Sequence, residues 1–348
     1  MNLAVVIVTY GNAAHIGGTL RALRPQLRDE DELLIVDNAS PDGTVAAARE
    51  AAPDARVLEQ GENLGFAGGC NAGVESSSAR LLLFLNPDAV PAPGCVDALR
   101  GAADEQPGWG AWQALVTMDG GQRVNTSGGV THFLGMGWAG SCDEPVDVAP
   151  GRPVEVDFAS GAALCVRRDA WERVGGFDAR YFMYCEDLDL CLRLWLGGWA
   201  VGVAPAARVE HDYDFEKGGR KWFLLERNRW WTVLSDYPTG LLLLLLPALL
   251  AAEPALLLIA ARGGWLRAKL RAQAAVLVAL PRILARRRVV QATRAITAAE
   301  LAERVSARLD NPYLGGGTRV RGIEPIQRGY WVAVRGALRL AGRLRRRG

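Results

Sequence analysis

The sequence has no pair of cysteines at CxxC or zinc-finger spacing. Its six cysteines, Cys70, Cys95, Cys142, Cys165, Cys185 and Cys191, stand mostly among apolar neighbours. That spacing argues against a disulfide framework or a structural zinc site, and we expect reduced, structural thiols in a cytosolic compartment. The N-terminal MNLAVVIVTYG has no basic leader and too short an apolar run for a signal peptide, so nothing in it directs the chain out of the cytosol. Neither low hydrophobicity nor a large net charge is present: half the residues are hydrophobic and the formal charge is +2, which excludes disorder and a coiled coil for the chain as a whole.

The 348 residues suffice for one large domain with an appendage or for two ordinary domains. The small net charge hides an asymmetry. Residues 1–261 carry 20 Lys and Arg against 34 Asp and Glu, and residues 262–348 carry 20 against 4, so an acidic body of −14 is joined to a basic tail of +16. Such a tail seeks anionic surfaces.

Along the first ninety residues, short β-branched or leucine-rich runs alternate with helical segments, the pattern of a parallel sheet covered by helices. Strands are predicted at Leu3–Thr9, Glu32–Asp37, Ala55–Glu59 and Arg80–Leu85. Each ends in a polar or glycine-rich turn, and in such sheets ligands bind at those carboxyl-end turns. From Trp109 to Val154 the pattern is glycine-rich and irregular, with weak strand signals, predicting hairpins and loops. A strand over Val156–Val166, a short helix over Arg167–Val174 and a helix from Glu186 follow; Leu188, Cys191, Leu192 and Trp195 form the helical stripe and Gly197-Gly198 ends it.

Leu241–Ala261 is apolar apart from Glu253. As one straight helix of about 21 residues it would span roughly 32 Å, close to the thickness of bilayer hydrocarbon. Pro247 and Pro254 argue against that. We expect broken amphipathic helices lying in the membrane interface, continued by the arginine-rich segments 265–271 and 279–288, and hence peripheral attachment rather than a span.

Three places carry candidate chemistry. Asn86-Pro87-Asp88 follows a leucine-rich strand, and one hard carboxylate oxygen holds Mg²⁺ or Mn²⁺ when diphosphate oxygens and water fill the other positions. The same triplet also reads as an ordinary turn. Glu186-Asp187-Leu188-Asp189 places three carboxylates at a helix start, where they cannot share one face. One of them beside an incoming hydroxyl is a general base with a raised pKa; a charged first turn is the plain alternative. His211 follows a predicted strand and is either a neutral metal ligand or a satisfied structural residue.

Together these stretches resemble the inverting family 2 glycosyltransferases of the GT-A fold, particularly the rhamnosyltransferase-like branch that builds bacterial surface polysaccharides. The matching stretches are VVIVTYGN, LLIVDNASPDGT, ENLGFAGGCNAG, LLLFLNPD, SGAALCVRR, GGFDARYFMYCEDLDLCLRLWLGG and VEH, over about residues 3 to 211. The resemblance implies an α/β, Rossmann-like GT-A domain over residues 1–235; the apolar run and the basic tail predict a helical, membrane-associating region over 236–348. It implies that Thr9, Tyr10, Asp37 and Asn38 hold the nucleotide base and ribose, that Gly65, Gly69 and Asn71 line the donor pocket, and that Asn86 stands beside them. Asp88 and His211 would hold Mn²⁺ or Mg²⁺ on the diphosphate. Asp187 would deprotonate the acceptor and Glu186 would orient the acceptor or Asp187.

The implied partners are a nucleotide diphosphate sugar, with dTDP-rhamnose the donor suggested by the branch, a polyprenyl-diphosphate-linked glycan acceptor and an anionic membrane surface, with no nucleic acid. A homodimer stays open. Three departures stand out. Tyr10-Gly11-Asn12 replaces the common Tyr-Asn, the DxD triplet is reduced to Asn86-Pro87-Asp88, and Glu226-Arg227-Asn228-Arg229-Trp230 differs from the QxxRW of processive synthases. Addition of a single sugar is therefore expected. Arg227 and Arg229 meet an acceptor phosphate or form a solvated basic face. A nucleotidyltransferase and a catalytically silent binding protein for sugar nucleotide or polyprenyl phosphate are the competing readings. The first usually has a basic, glycine-rich N-terminal loop, absent here; retention of Asp88 and Asp187 speaks against the second. A nucleic-acid role for Arg345, Arg346 and Arg347 is third, and the interleaved Leu and Trp favour lipid over it.

Overall fold

The computed structural model describes residues 1–212, 218–308 and 323–345. They divide into two units. The first holds Met1–Gly129, Ala139–Leu194 and Trp199–Asp214; the second holds Val130–Trp138, Trp195–Gly198 and the described part of Phe215–Gly348. Arg346 and Arg347 lie outside the described residues, as does the side chain of Arg345.

The first unit is built on a mixed sheet. The continuous apolar runs predicted as strands form β1 (Leu3–Thr9), β2 (Glu32–Asp37), β3 (Arg56–Glu59) and β4 (Leu81–Leu85). Strands β1, β2 and β4 are almost wholly buried, as expected of parallel strands covered on both faces. The helices between them are α1 (Ile16–Leu23), α2 (Thr44–Ala51) and α3 (Gly65–Glu75). In α1 the buried Ile16, Leu20 and Leu23 repeat at helical spacing, which fixes the face laid on the sheet.

After β4 come β5 (Val90–Pro91), α4 (Cys95–Glu105), β6 (Trp109–Met118), β7 (Arg123–Thr126), β8 (Gly129–Thr131), β9 (Gly137–Ala139) and β10 (Val154–Glu155). These are followed by β11 (Ala163–Arg167), α5 (Arg168–Val174), α6 (Glu186–Leu196) and β12 (Ala200–Glu210). The strand order is β10-β12-β6-β11-β4-β1-β2-β3. Strands β4, β1, β2 and β3 run parallel, β11 runs antiparallel between β4 and β6, and β6 is parallel to β12. The order reverses direction at β1, and the turns after β1, β2 and β4 share one sheet edge.

Two sequence expectations are refined here. Residues 109–154 do hold paired strands and loops, β6 with β7 and β8 with β9, but β6 is also a ten-residue strand of the main sheet, paired with β11 and β12. Gln113 is fully buried within β6. Its amide is used internally, donating to the Thr126 carbonyl at 3.2 Å and accepting the Ser160 N–H at 2.8 Å. The single strand expected over 156–166 is interrupted: β10 ends at Glu155, β11 starts at Ala163, and the loop between them carries Ser160 and Gly161.

The second unit is helical, with α7 (Gly218–Asp236), α8 (Thr239–Arg262), α9 (Leu266–Ala292), α10 (Ala298–Ala302) and α11 (Ile323–Arg345). Here α8 is one continuous helix of 24 residues rather than a broken one, and α9 is continuous past Pro281. The reason lies in the buried side. Leu241, Leu245, Leu249 and the ion-paired Glu253 recur every fourth residue, and Ala260 extends the seam. Pro247 and Pro254 are exposed off that seam, so the missing backbone bonds face outward while packing holds both halves of the helix.

Glu253 joins a buried cluster of four charges. Lys269, fully buried, lies 2.7 Å from Glu226 and 2.8 Å from Glu253, and Arg229 lies 2.9 and 2.7 Å from the same two carboxylates. Two acids and two bases cancel, which is what lets four charges be buried together. The alternatives expected for Arg229 are both corrected: it is neither on a solvated face nor available to a phosphate, because its guanidinium is taken up by Glu226, Glu253 and the Leu134 carbonyl. Arg227 is half-buried over the rings of Phe223 and Trp231.

Candidate active site

The nucleotide-edge residues come together at the ends of β1 and β2. Thr9 Oγ1 donates to Asp37 Oδ1 at 2.9 Å, and the Asn38 N–H donates to the Thr9 carbonyl at 2.9 Å, so the two strand ends are locked. Thr9, Asp37 and Asn38 are buried, whereas Tyr10 is 53% exposed. Of these four, Tyr10 is the one whose ring stands open to a ligand. The extra Gly11 adopts a left-handed φ of +71° and donates its N–H to Ser40 Oγ. Asn12 closes the same turn by accepting the Tyr10 N–H at 2.9 Å.

Helix α3 begins beside this turn, with the Asn38 amide donating to the Gly65 carbonyl at 2.9 Å. The glycines of α3 have internal duties. A Cβ at Gly69 would stand 2.6 Å from a Val8 methyl, and one at Gly73 would stand 2.4 Å from a Val6 methyl. They let α3 lie directly on β1. Gly65, at a φ of +72°, lies against the Phe182 carbonyl, which accepts the Ala67 N–H at 3.1 Å. Asn71 donates to the Phe177 carbonyl at 2.8 Å and accepts the Phe177 N–H at 3.3 Å. Gly69 and Asn71 are therefore explained by packing and by loop fixation.

Asp88 stands in the turn after β4 with its side chain 35% exposed, and the buried His211 presents Nε2 3.1 Å from Asp88 Oδ1. Asn86 Nδ2 lies 3.5 Å from the same nitrogen. The backbone fixes His211 at both ends. Its N–H donates to the Thr117 carbonyl at 2.8 Å, and its carbonyl accepts from Asn125 Nδ2 at 2.9 Å. An octahedral ion with bonds of about 2.1 Å places neighbouring ligand atoms about 3.0 Å apart, so a carboxylate oxygen and an imidazole nitrogen at this spacing fit Mn²⁺ or Mg²⁺. Among the described residues no three His, Cys, Asp or Glu side chains are placed to hold one metal ion, leaving the other positions of such an ion to a ligand and water.

The three carboxylates at the start of α6 take three different environments. Asp189 is buried in an ion pair with Arg193 at 2.6 Å and accepts the Tyr181 hydroxyl at 2.9 Å, a purely internal arrangement. Glu186 is buried, and among the described residues its Oε2 has no hydrogen-bond partner. Burial, then the charge of Asp187, pushes the Glu186 carboxyl well above the usual carboxylate range. Asp187 is partly exposed; Oδ2 accepts the Gly161 N–H at 3.1 Å and Oδ1 the Leu188 N–H at 2.8 Å. Burial raises its pKa too, and those two N–H groups partly oppose the rise.

The segment before α6 is strained. Phe182, Tyr184 and Cys185 have φ of +67°, +68° and +64°, and the Met183 N–H bonds back to the Tyr181 carbonyl in a γ-turn about Phe182. This turn aims the Phe182 carbonyl at α3 and delivers Glu186 and Asp187 to the sheet edge. One loop links the two chemical groups: the Asn86 N–H donates to the Ala162 carbonyl at 3.0 Å, and Gly161 binds Asp187. Gly161, Asn125 and Gln113 were not singled out from sequence. Of the three only Gly161 sits in a stretch carrying the resemblance, SGAALCVRR, and its role as an N–H donor leaves no side-chain signal.

The chain matches Glycosyl transferase family 2 over residues 4–130 and Glycosyl transferase family group 2 over residues 81–285. It is 34% identical over 241 residues to N-acetylglucosaminyl-diphospho-decaprenol L-rhamnosyltransferase of Mycobacterium tuberculosis, covering 62% of this chain and 78% of that protein. Among solved structures, S. aureus TarS 1-349 in complex with UDP superposes with a TM-score of 0.53 at 15% identity, over 99% of this chain and 92% of that one. GalNAc-T7 with UDP, GalNAc and Mn²⁺ gives 0.55 at 13% identity, over 69% of this chain and 48% of that one. These structural likenesses establish a shared GT-A fold. With a family match over more than half of its length and a relative of which it covers more than three quarters, the chain belongs to glycosyltransferase family 2 and is a glycosyltransferase of the rhamnosyltransferase type.

Proposed function

We propose that this enzyme is an inverting, metal-dependent, non-processive transferase that moves one sugar, rhamnose from dTDP-rhamnose, to a polyprenyl-diphosphate-linked glycan in bacterial surface-polysaccharide synthesis. The observation that supports this reading is the tie through Gly161 and Ala162 between the Asp88 turn, read as the diphosphate end, and the half-buried Asp187. In this reading Tyr10 stacks on the nucleotide base while Thr9, Asp37 and Asn38 shape the ribose pocket. Asp88 and His211 would hold the divalent ion, which would supply positive charge to balance that of the leaving diphosphate.

Asp187 takes the proton from the acceptor hydroxyl as that oxygen attacks the anomeric carbon from the face opposite the leaving group. Its two N–H donors fix the orientation of the carboxylate. Burial, then the charge of Asp187, pushes the Glu186 carboxyl well above the usual carboxylate range, which disfavours a second negative charge beside the base. One displacement inverts the centre, so no enzyme nucleophile is needed.

The lipid-linked acceptor is supported by the name of the Mycobacterium tuberculosis relative and by the surface of the second unit. Thirteen of the seventeen large apolar side chains exposed among the described residues belong to α8, α9 and α11, which supports reading these helices as the surface that meets the membrane. Helix α8 is long and apolar enough to cross a membrane. The ion pairs of Glu253 at its middle tie it to α7 and α9 and favour a helix lying on the membrane.

The test is transfer by the purified chain from a panel of nucleotide sugars to a prenyl-diphosphate-linked acceptor, with the product's anomeric configuration read by NMR. Inversion is expected. Retention of configuration, or no transfer from any donor, contradicts the reading.

A further inference from the structure

The second unit holds a cavity of about 560 Å³, lined by Arg220, Phe223, Trp265, Arg267 and Arg271 together with small residues. Its walls come from the start of α7 and the start of α9. Trp265 is stacked on Trp222 with ring centroids 4.5 Å apart and planes 9° from parallel, so one wall is stiff. The Arg271 guanidinium lies 5.9 Å from the centre of the Phe223 ring, and among the described residues neither Arg267 nor Arg271 has a carboxylate at ion-pair distance. Guanidinium groups set among aromatic faces match a phosphate or diphosphate that carries an apolar substituent.

The surface leading away from this cavity narrows the choice of ligand. Leu277 follows Leu270 by seven residues and Leu284 follows by seven more, a spacing that returns to the same helix face within about 20°. Val278 stands seven residues beyond Arg271 in the same way. All four side chains are exposed, Val278 at 84%. From Arg271 to Leu284 the helix therefore presents about 20 Å of apolar surface that starts at the cationic cavity. A free phosphate or a nucleic acid has no use for that strip; a phosphate joined to a long hydrocarbon chain does.

We propose that this cavity binds the phosphate head of a long-chain isoprenoid lipid, with the start of its chain lying along Leu270, Leu277 and Leu284. The inference rests on the lipid-linked-acceptor reading given above and locates where that lipid is held. It also gives the basic tail a specific site rather than only a general attraction to negative surfaces.

The full chain is tested by flotation with neutral phosphatidylcholine vesicles doped with a polyprenyl phosphate, and with vesicles doped to equal charge with phosphatidylglycerol. The double variant Arg267→Gln with Arg271→Gln should bind polyprenyl phosphate vesicles about tenfold or more weakly, given the strength of guanidinium–phosphate bonds. Its binding to phosphatidylglycerol vesicles should fall by a smaller factor, from the lost surface charge alone, and its donor affinity should be unchanged, the latter reporting that it is folded. Lysine at both positions should restore part of the loss. Equal loss on both kinds of vesicle overturns the proposal in favour of simple surface charge, and competition by inorganic pyrophosphate as strong as by the lipid overturns it in favour of a free-phosphate site. If the wild-type chain ignores polyprenyl phosphate altogether, the lipid-acceptor reading fails; if wild type and variant bind it equally, only the assigned location fails.

Discussion

His211 Nε2 lies 3.1 Å from Asp88 Oδ1 although the two residues are 123 positions apart, and the imidazole is buried behind a carboxylate that reaches the surface. Asp88 alone is a weak anchor for a divalent ion, and His211 supplies a second donor at a spacing suited to one. His211→Ala should therefore raise the Mn²⁺ concentration needed for half-maximal transfer by about tenfold to a hundredfold, with part of the maximal rate recovered at high Mn²⁺. Titration of the metal against initial rate checks this, alongside EDTA, which should stop the wild-type reaction.

The raised pKa values at the start of α6 give a pH dependence in rate and in stability. Asp187 must be ionised to act as base, and burial lifts its carboxyl, so the acid limb of kcat/KM should fall above the ordinary aspartate value of about 3.9. Glu186 is lifted well above the usual range, so the folded chain retains a proton that the unfolded chain gives up, and stability is lost as pH rises through the folded value. Glu186→Gln removes that loss. The variant should gain melting temperature relative to wild type as pH rises from 5 to 8, values chosen to lie above the unfolded carboxylate pKa of about 4.3. A gain that shrinks over this range contradicts the assignment.

Lys269 lies between Glu226 and Glu253 with no exposed surface. Lys269→Met leaves two buried carboxylates sharing Arg229 and should destabilise the chain by about 3–5 kcal/mol, measured by urea unfolding. Adding Glu253→Gln restores the charge balance and should recover much of that loss. Burial alone would raise the Glu226 carboxyl, but the charges and hydrogen bonds of Arg229 and Lys269 outweigh it and hold the pKa below its ordinary value. The stabilisation from Glu226 is therefore present above the usual glutamate range and lost as pH falls through the lower, folded value.

Much of the first unit was legible because its strands are buried on both faces: Leu3–Thr9 and Glu32–Asp37 form over the predicted residues, and β3 and β4 each start one residue late. Strand β6 was not legible. Its place in the sheet depends on pairing with β11 and β12 and on a buried glutamine that bonds to Thr126 and Ser160, both more than ten residues away. Continuity of α8 was hidden for a similar reason, since the prolines are visible in sequence while the seam that steadies them is tertiary. At the site, the order of motifs marked Asp88, Asp187 and His211, but nothing in the sequence shows that Gly161 joins two of these regions through backbone groups. Gly69 and Asn71 carried the resemblance, yet each is accounted for by contacts within the fold.

The central claim, that Asp187 is the base of a sugar transfer, is tested most directly by measuring transfer rate and donor affinity together for Asp187→Asn. The amide keeps the shape and one of the two acceptor oxygens but cannot take a proton. A fall of about a thousandfold in kcat with donor affinity within about twofold of wild type is the expected result. Residual turnover above a few per cent of wild type, with donor binding intact, would contradict it.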